Sequence, residues 1–137
     1  MRRTARAGFF ILGLVVLLGC SSMQDEPKNK EPAGPEITGM VIRNDLPFPV
    51  TDVLILAPVS GNYAGCGNIL PRSECSTSFQ AVDYRRNPIV ISWNEYGEPQ
   101  KTDEFVVDVP ESMKLDQSAW LEVIIFARGQ AGARLVQ

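Results

Sequence analysis

From Ile37 onward the chain is written in short apolar runs with a period of two, and this alternation restricts its fold more than any other feature. Successive side chains of a strand point to opposite faces, so a pattern repeating at every second position buries one face and wets the other. Ile89, Ile91 and Trp93 alternate with Val90, Ser92 and Asn94. Phe105, Val107 and Val109 alternate with Glu104, Val106 and Asp108, and Thr77, Phe79 and Ala81 with Ser76, Ser78 and Gln80. Residues 50–57 and 120–127 are apolar on both faces, which places them centrally in a sheet or beneath a covering segment. With residues 40–44 and 133–136 the set comes to about seven strands.

The segments between them carry residues that stop or reverse a strand: Asn44-Asp45-Leu46-Pro47, Arg86-Asn87-Pro88, Tyr96-Gly97-Glu98-Pro99 and Gly129-Gln130-Ala131-Gly132. No helical stripe competes with this pattern. It predicts an all-β fold, an antiparallel two-sheet sandwich of immunoglobulin-like or transthyretin-like order. The immunoglobulin cysteine pair brackets a tryptophan, whereas Cys66 and Cys75 both precede Trp93, so the order stays open, and a transthyretin-like order or a small barrel would give the same pattern.

Residues 1–36 do not share the alternation. Arg2, Arg3 and Arg6 precede an apolar stretch at residues 9–18, and Leu17-Leu18-Gly19-Cys20 closes it, giving the parts of a secretory signal. A stretch of this length is too short to span a hydrocarbon core of about 30 Å, which takes roughly 20 helical residues. Residues 21–36, SSMQDEPKNKEPAGPE, hold three prolines and no large aliphatic side chain, the composition of an extended spacer. The expected organisation is a signal at 1–19, a lipid-bearing residue and tether at 20–36, and one sandwich domain at 37–137.

Leu17-Leu18-Gly19-Cys20 resembles the lipobox of the bacterial lipoproteins: Leu, a small or apolar residue, Gly or Ala, then Cys. The resemblance implies a diacylglyceryl thioether on Cys20, cleavage before it and acylation of the new amino group. It also implies a membrane partner for the chain through that lipid. Ser21 and Ser22 stand where an aspartate favours inner-membrane retention in some members, which leans toward the outer membrane, facing the periplasm. Several acyl chains, each methylene contributing about 0.8 kcal/mol, hold such a protein on a membrane essentially permanently.

Export to an oxidising compartment, with Cys20 taken by lipid, leaves Cys66 and Cys75 to pair as a disulfide within a loop between two strands. A soft metal would want more thiolate, thioether or imidazole ligands than the chain provides nearby, and the spacing differs from the Cys-x-x-Cys of redox proteins.

Charge and composition narrow the function. The formal net charge is −3, and setting aside the three leader arginines leaves ten basic against sixteen acidic residues, or −6. An acidic domain without a basic cluster has no electrostatic route to nucleic acid. The chain contains no histidine, which removes Ser-His-Asp and Cys-His nucleophiles and every imidazole metal site. No cofactor and no metal are expected. Glu95, Glu98, Asp103 and Glu104 cluster after Trp93 and are expected to be exposed turn carboxylates rather than a glycosidase pair. Trp93 and Trp120 are expected in the core, with a surface patch as the alternative for Trp120, which begins its strand. Tyr63, Tyr84 and Tyr96 fall in or beside loops and form a candidate binding surface. These readings point to a non-enzymatic, lipid-anchored interaction or assembly module with an envelope protein partner. The alternative is a carbohydrate or small-ligand binder with a pocket near those tyrosines, and a hydrolase ranks last.

Overall fold

A computed structural model describes residues 34–137. The expected signal, Cys20 and its lipobox, and the tether as far as residue 33 lie outside the described residues. Eight strands follow: β1 (Glu36–Asn44), β2 (Val50–Ala57), β3 (Asn62–Cys66), β4 (Ser73–Asp83), β5 (Val90–Glu95), β6 (Glu98–Lys101), β7 (Ala119–Ala127) and β8 (Gln130–Val136). They form two four-stranded sheets, in the orders β4-β1-β7-β8 and β3-β2-β5-β6. The fold is the expected all-β sandwich. The immunoglobulin order would put the first, second, fifth and fourth strands together. Here β2 and β5 lie in the opposite sheet, so the transthyretin-like order holds.

The alternation succeeds where strands are regular and is shifted by bulges elsewhere. Along β5, Ile91, Trp93 and Glu95 point inward. In β2 the residue Asp52, with φ of 52°, is an extra residue opposite β5, so Val50, Val53 and Ile55 all reach the core across a change of parity. β1 likewise carries an extra residue opposite β7 between Ile37 and Gly39, so Ile37 and Met40 both face inward. A Cβ on Gly39 would lie 2.8 Å from the Thr77 carbonyl oxygen and 2.8 Å from the Trp120 ring, so only glycine lets the half-buried Trp120 lie flat on β1. The two-sided apolar runs are central strands, as expected: β2 lies between β3 and β5, and β7 between β1 and β8.

Four expectations are corrected. First, β1 and β7 pair in parallel, Ile37 opposite Ala119 through Asn44 opposite Ile125, so that sheet is mixed. Parallel partners need a long crossover, and the second sheet together with β4 supplies it. Second, the count is eight rather than seven, because β3 and β6, which the alternation does not mark, are added and residues 104–109 drop out; Pro99 is tolerated in β6 since β6 is an edge strand. Third, residues 104–109 form no strand. Their alternation survives, with Val107 buried and Val106 exposed, yet Phe105 makes only an isolated bridge to Ile89. Fourth, the inward face of β4 ends at Thr77. Phe79, Gln80 and Ala81 oppose the single residue Thr38 and bulge outward into solvent.

The two ends of the sandwich differ. At one end, called the entry end, the chain comes in at Gly34 and Pro35, the turn after β2 reverses, and β4 runs out into Tyr84. At the far end lie Asn44, the β5–β6 hairpin and the β7–β8 hairpin. The Cys66–Cys75 disulfide also lies toward the far end, with Cα atoms 6.4 Å apart, joining β3 of one sheet to β4 of the other. The segment expected to be a loop is thus a strand and a crossing between sheets. Closing a loop of this length limits the unfolded chain by about 2.5 kcal/mol. Cys66→Ser should therefore lower Tm by roughly 10 °C or more in a thermal melt. A melting curve that does not move would remove the disulfide from the stability of the fold.

Candidate functional site

β3 and β4 are edge strands of different sheets lying side by side. The disulfide holds them together toward the far end. Toward the entry end no hydrogen bond or ion pair joins them among the described residues, because β3 is only five residues long and β4 bulges away at Phe79–Ala81. A cleft of about 530 Å³ opens there between the sheets. This volume falls within the range of ligand pockets, about 300–1,000 Å³.

The floor of the cleft is aliphatic. Ile37 and Met40 of β1, Ile55 of β2, Ile89, Val107 and Leu135 all contribute to it. Its mouth is framed by Tyr63 and Ala64 of β3 and by Phe79, Val82 and Asp83 of β4. Tyr63 is 74% exposed, and Phe79 and Val82 are also solvent-accessible, an uncommon grouping of large apolar side chains at one opening. Asp83 is the one carboxylate on the lining among the described residues, and it faces Arg85 at 3.7 Å on the exposed rim.

Tyr84 shapes the inner wall. Its hydroxyl donates to the Val107 carbonyl oxygen at 2.6 Å, tying the end of β4 to the extended segment after β6. Burial raises its pKa above the ordinary tyrosine value, so it remains a neutral donor across the physiological range. With that hydroxyl committed to a backbone partner, its ring offers the cleft only apolar surface.

The structure brings together two of the three tyrosines expected to form a binding surface. Tyr63 and Tyr84 share the cleft, whereas Tyr96 is at the far end, in the two-residue turn between β5 and β6, with φ of 51°. Its ring packs on Phe48 with centroids 4.6 Å apart, and the Arg128 guanidinium lies 6.0 Å from its centre. Those contacts hold a non-glycine residue in the left-handed region.

Of the four acidic residues expected to be exposed, Glu98, Asp103 and Glu104 are, but Glu95 is 1% exposed. Glu95 Oε1 accepts from Trp93 Nε1 at 2.9 Å and from the Gly129 backbone N–H at 2.8 Å. Oε2 has no hydrogen-bond partner among the described residues and faces Arg128 Nε at 3.7 Å. Trp93 and Glu95 are two residues apart on one strand, so extending the alternation by one step would have placed Glu95 inside. Its contacts clamp β5 to the β7–β8 hairpin of the other sheet.

A second polar group, absent from the expectations, lies on the outer face of the β1-containing sheet. Glu122 of β7 accepts from Arg43 Nη1 at 3.2 Å on one side and from Arg134 Nε on the other, while Arg43 also pairs with Asp45 at 3.2 Å. Arg134, and then Arg43, hold the Glu122 carboxyl below its ordinary pKa against the opposing effect of burial. A carboxylate with a depressed folded pKa contributes stability that is complete above the unfolded value, about 4.3, and is lost as pH falls through the folded value. Urea midpoints should thus fall on acidification, and Glu122→Gln should flatten that fall while lowering the midpoint at pH 7. Equal acid sensitivity in the variant would assign the effect to other groups.

No family model matches the chain, and no curated protein matches it. Among solved structures, the chain is similar to a protein from Eubacterium rectale determined by NMR, at 9% identity and a TM-score of 0.44, over 72% of this chain and 85% of that one.

Proposed function

We propose that this chain is a non-enzymatic, lipid-anchored envelope protein that works by binding, and that the cleft between β3 and β4 takes up an apolar ligand. The observation that carries the proposal is the cleft itself: an aliphatic floor about 530 Å³ in volume, open at a mouth lined by Tyr63, Phe79 and Val82. Apolar cavities of this kind gain from each apolar surface that leaves water. A carbohydrate would instead need several hydrogen-bonding groups around an aromatic platform, whereas the floor here is aliphatic and the polar side chains Ser60, Asn62, Gln80, Asp83 and Arg85 are exposed at the rim. The lipid anchor rests on the sequence, with three early arginines, the apolar stretch and Leu17-Leu18-Gly19-Cys20. Pairing of Cys66 with Cys75 supports export to an oxidising compartment.

The second reading, an assembly module, is favoured by the outer edge of β4, which pairs with no strand among the described residues, and by its exposed Phe79 and Val82. An extended segment of a partner protein could add to such an edge.

Native mass spectrometry of protein purified from envelopes tests the proposal. The expected result is an apolar small molecule bound to the Cys20→Ser form, which carries no lipid of its own, and lost on adding Ala64→Trp, which fills the mouth from the edge strand β3. Recovery of a stoichiometric protein partner, with no small molecule in either form, would favour the assembly module instead. Cys20→Ser should release the chain from membranes and prevent its maturation. Continued membrane attachment of that variant would argue for an uncleaved hydrophobic anchor.

A further inference from the structure

The position at which the chain enters the domain points to the occupant of the cleft: an acyl chain carried by the protein's own Cys20. This inference rests on the lipid-anchored, cleft-binding reading above and names the ligand of that site.

The tether is delivered to the cleft mouth by backbone geometry. The Tyr84 N–H donates to the Pro35 carbonyl oxygen at 3.0 Å, and a Cβ on Gly34 would collide with the Tyr84 carbonyl oxygen, so residues 34–35 run flush against the cleft wall. Pro35 is fully buried, and Ile37, two residues on, is part of the lining. Glu36 and Ile37 pair with Asp83 and Val82 of the rim. Whatever precedes residue 34 is therefore attached beside the opening.

Cys20 stands 14 residues before Gly34. A chain of that length extends to at most about 50 Å. The thioether-linked chain is thus held near the opening at an effective concentration on the order of millimolar. A polymethylene chain asks for no hydrogen bonds, which matches a lining whose Tyr84 hydroxyl is already bonded to Val107.

The environment decides when the cleft is filled. Within a bilayer the acyl chain is already out of water, so transfer to the cleft gains little. In water the transfer is favourable. The cleft therefore shelters one chain while the lipidated protein is away from a membrane, and releases it on insertion.

The test uses the lipidated protein produced in cells fed a diazirine-bearing palmitate, irradiated either after detergent dilution into water or in phospholipid vesicles. Peptide mapping should place the photolabel on segments containing Met40, Ala64 and Leu135 in water, at least fivefold more than in vesicles. Ala64→Trp should reduce that labelling severalfold. A 20-residue Gly-Ser insertion after Ala33, which leaves the domain untouched, should lower about three- to fourfold the free palmitate needed to halve it, following the loss of effective concentration. Label absent from these segments, or equal labelling of admixed isotope-marked Cys20→Ser protein, overturns the inference. If free palmitate binds that Cys20→Ser protein while no label enters the cleft in cis, the cleft-binding reading stands and only the tethered occupant falls. If neither occurs, both fall.

Discussion

Trp93→Ala should lower the stability of the domain by about 5 kcal/mol and leave little folded protein at 37 °C. The side chain is 2% exposed in the centre of the core, where truncation of a Trp costs about 3–5 kcal/mol through lost burial and the cavity left behind. A second cost adds to this, because Trp93 Nε1 is one of two hydrogen-bond donors to the buried Glu95 carboxylate. Leaving such a group less satisfied costs about 1–3 kcal/mol. A domain of this size has only about 5–15 kcal/mol in total. Trp93→Phe separates the two effects, since it keeps most of the packing and removes the donor. It should cost about 2 kcal/mol, and adding Glu95→Gln should recover part of that by removing the buried charge. Urea unfolding followed by circular dichroism measures each variant. A loss below about 2 kcal/mol for Trp93→Ala would mean that the ring is not the centre of the core.

How far the sequence discloses this molecule depends on the range over which each feature is encoded. Alternation is local, so the fold class was legible, as were the central positions of β2 and β7 from their two-sided apolar runs. Pairing is not local. Nothing in residues 36–44 or 119–127 states that they lie side by side in parallel, and the bulges at Asp52 and Gly39 reverse parity without a sequence mark that alternation can register. β3 escaped notice because Asn62-Tyr63-Ala64-Gly65-Cys66 carries a single large side chain and little alternation. Conversely, residues 104–109 show a clear alternation and no ladder, because the segment packs on the core from beside the sheets.

The candidate site was legible only in part, for the same reason. Tyr63 and Tyr84 were recognisable as loop-side aromatics, yet the cleft they share is produced by what β3 and β4 do together. One strand is too short and the other bulges, and the disulfide closes their seam at one end while leaving it open at the other. Tyr96 has the same local sequence character and lies at the opposite end, engaged with Phe48 and Arg128. The molecule is thus tied at its far end by polar clamps and left open where the tether arrives.

The strongest of those far-end clamps is Asn44, and Asn44→Ala should cost about 3–4 kcal/mol. Asn44 is fully buried at the end of β1. Its Nδ2 donates to the carbonyl oxygens of Phe48 at 2.8 Å, Leu70 at 3.1 Å and Ile69 at 3.2 Å, and its Oδ1 accepts from the Leu46 N–H at 3.0 Å. Two amide hydrogens serve three acceptors, so one hydrogen is shared. One side chain therefore fixes both the turn leading to β2 and the crossing between β3 and β4. Ile69 keeps its backbone bond from Val50 when the side chain is removed, but Leu46 N–H and the Phe48 and Leu70 oxygens lose a buried partner, at about 1–3 kcal/mol for each one that water cannot reach. The Asn44→Asp variant is the sharper test, because it sets a carboxylate against three carbonyl oxygens. Burial and those oxygens favour the protonated form, so its folded pKa lies above the unfolded value, and its stability is best at low pH and lost as pH rises through the folded value. That dependence runs opposite to the one set by Glu122. Stability of Asn44→Asp that rises with pH as in the wild type, or an Asn44→Ala loss under about 1 kcal/mol, would show that the far-end loops hold their shape without this side chain.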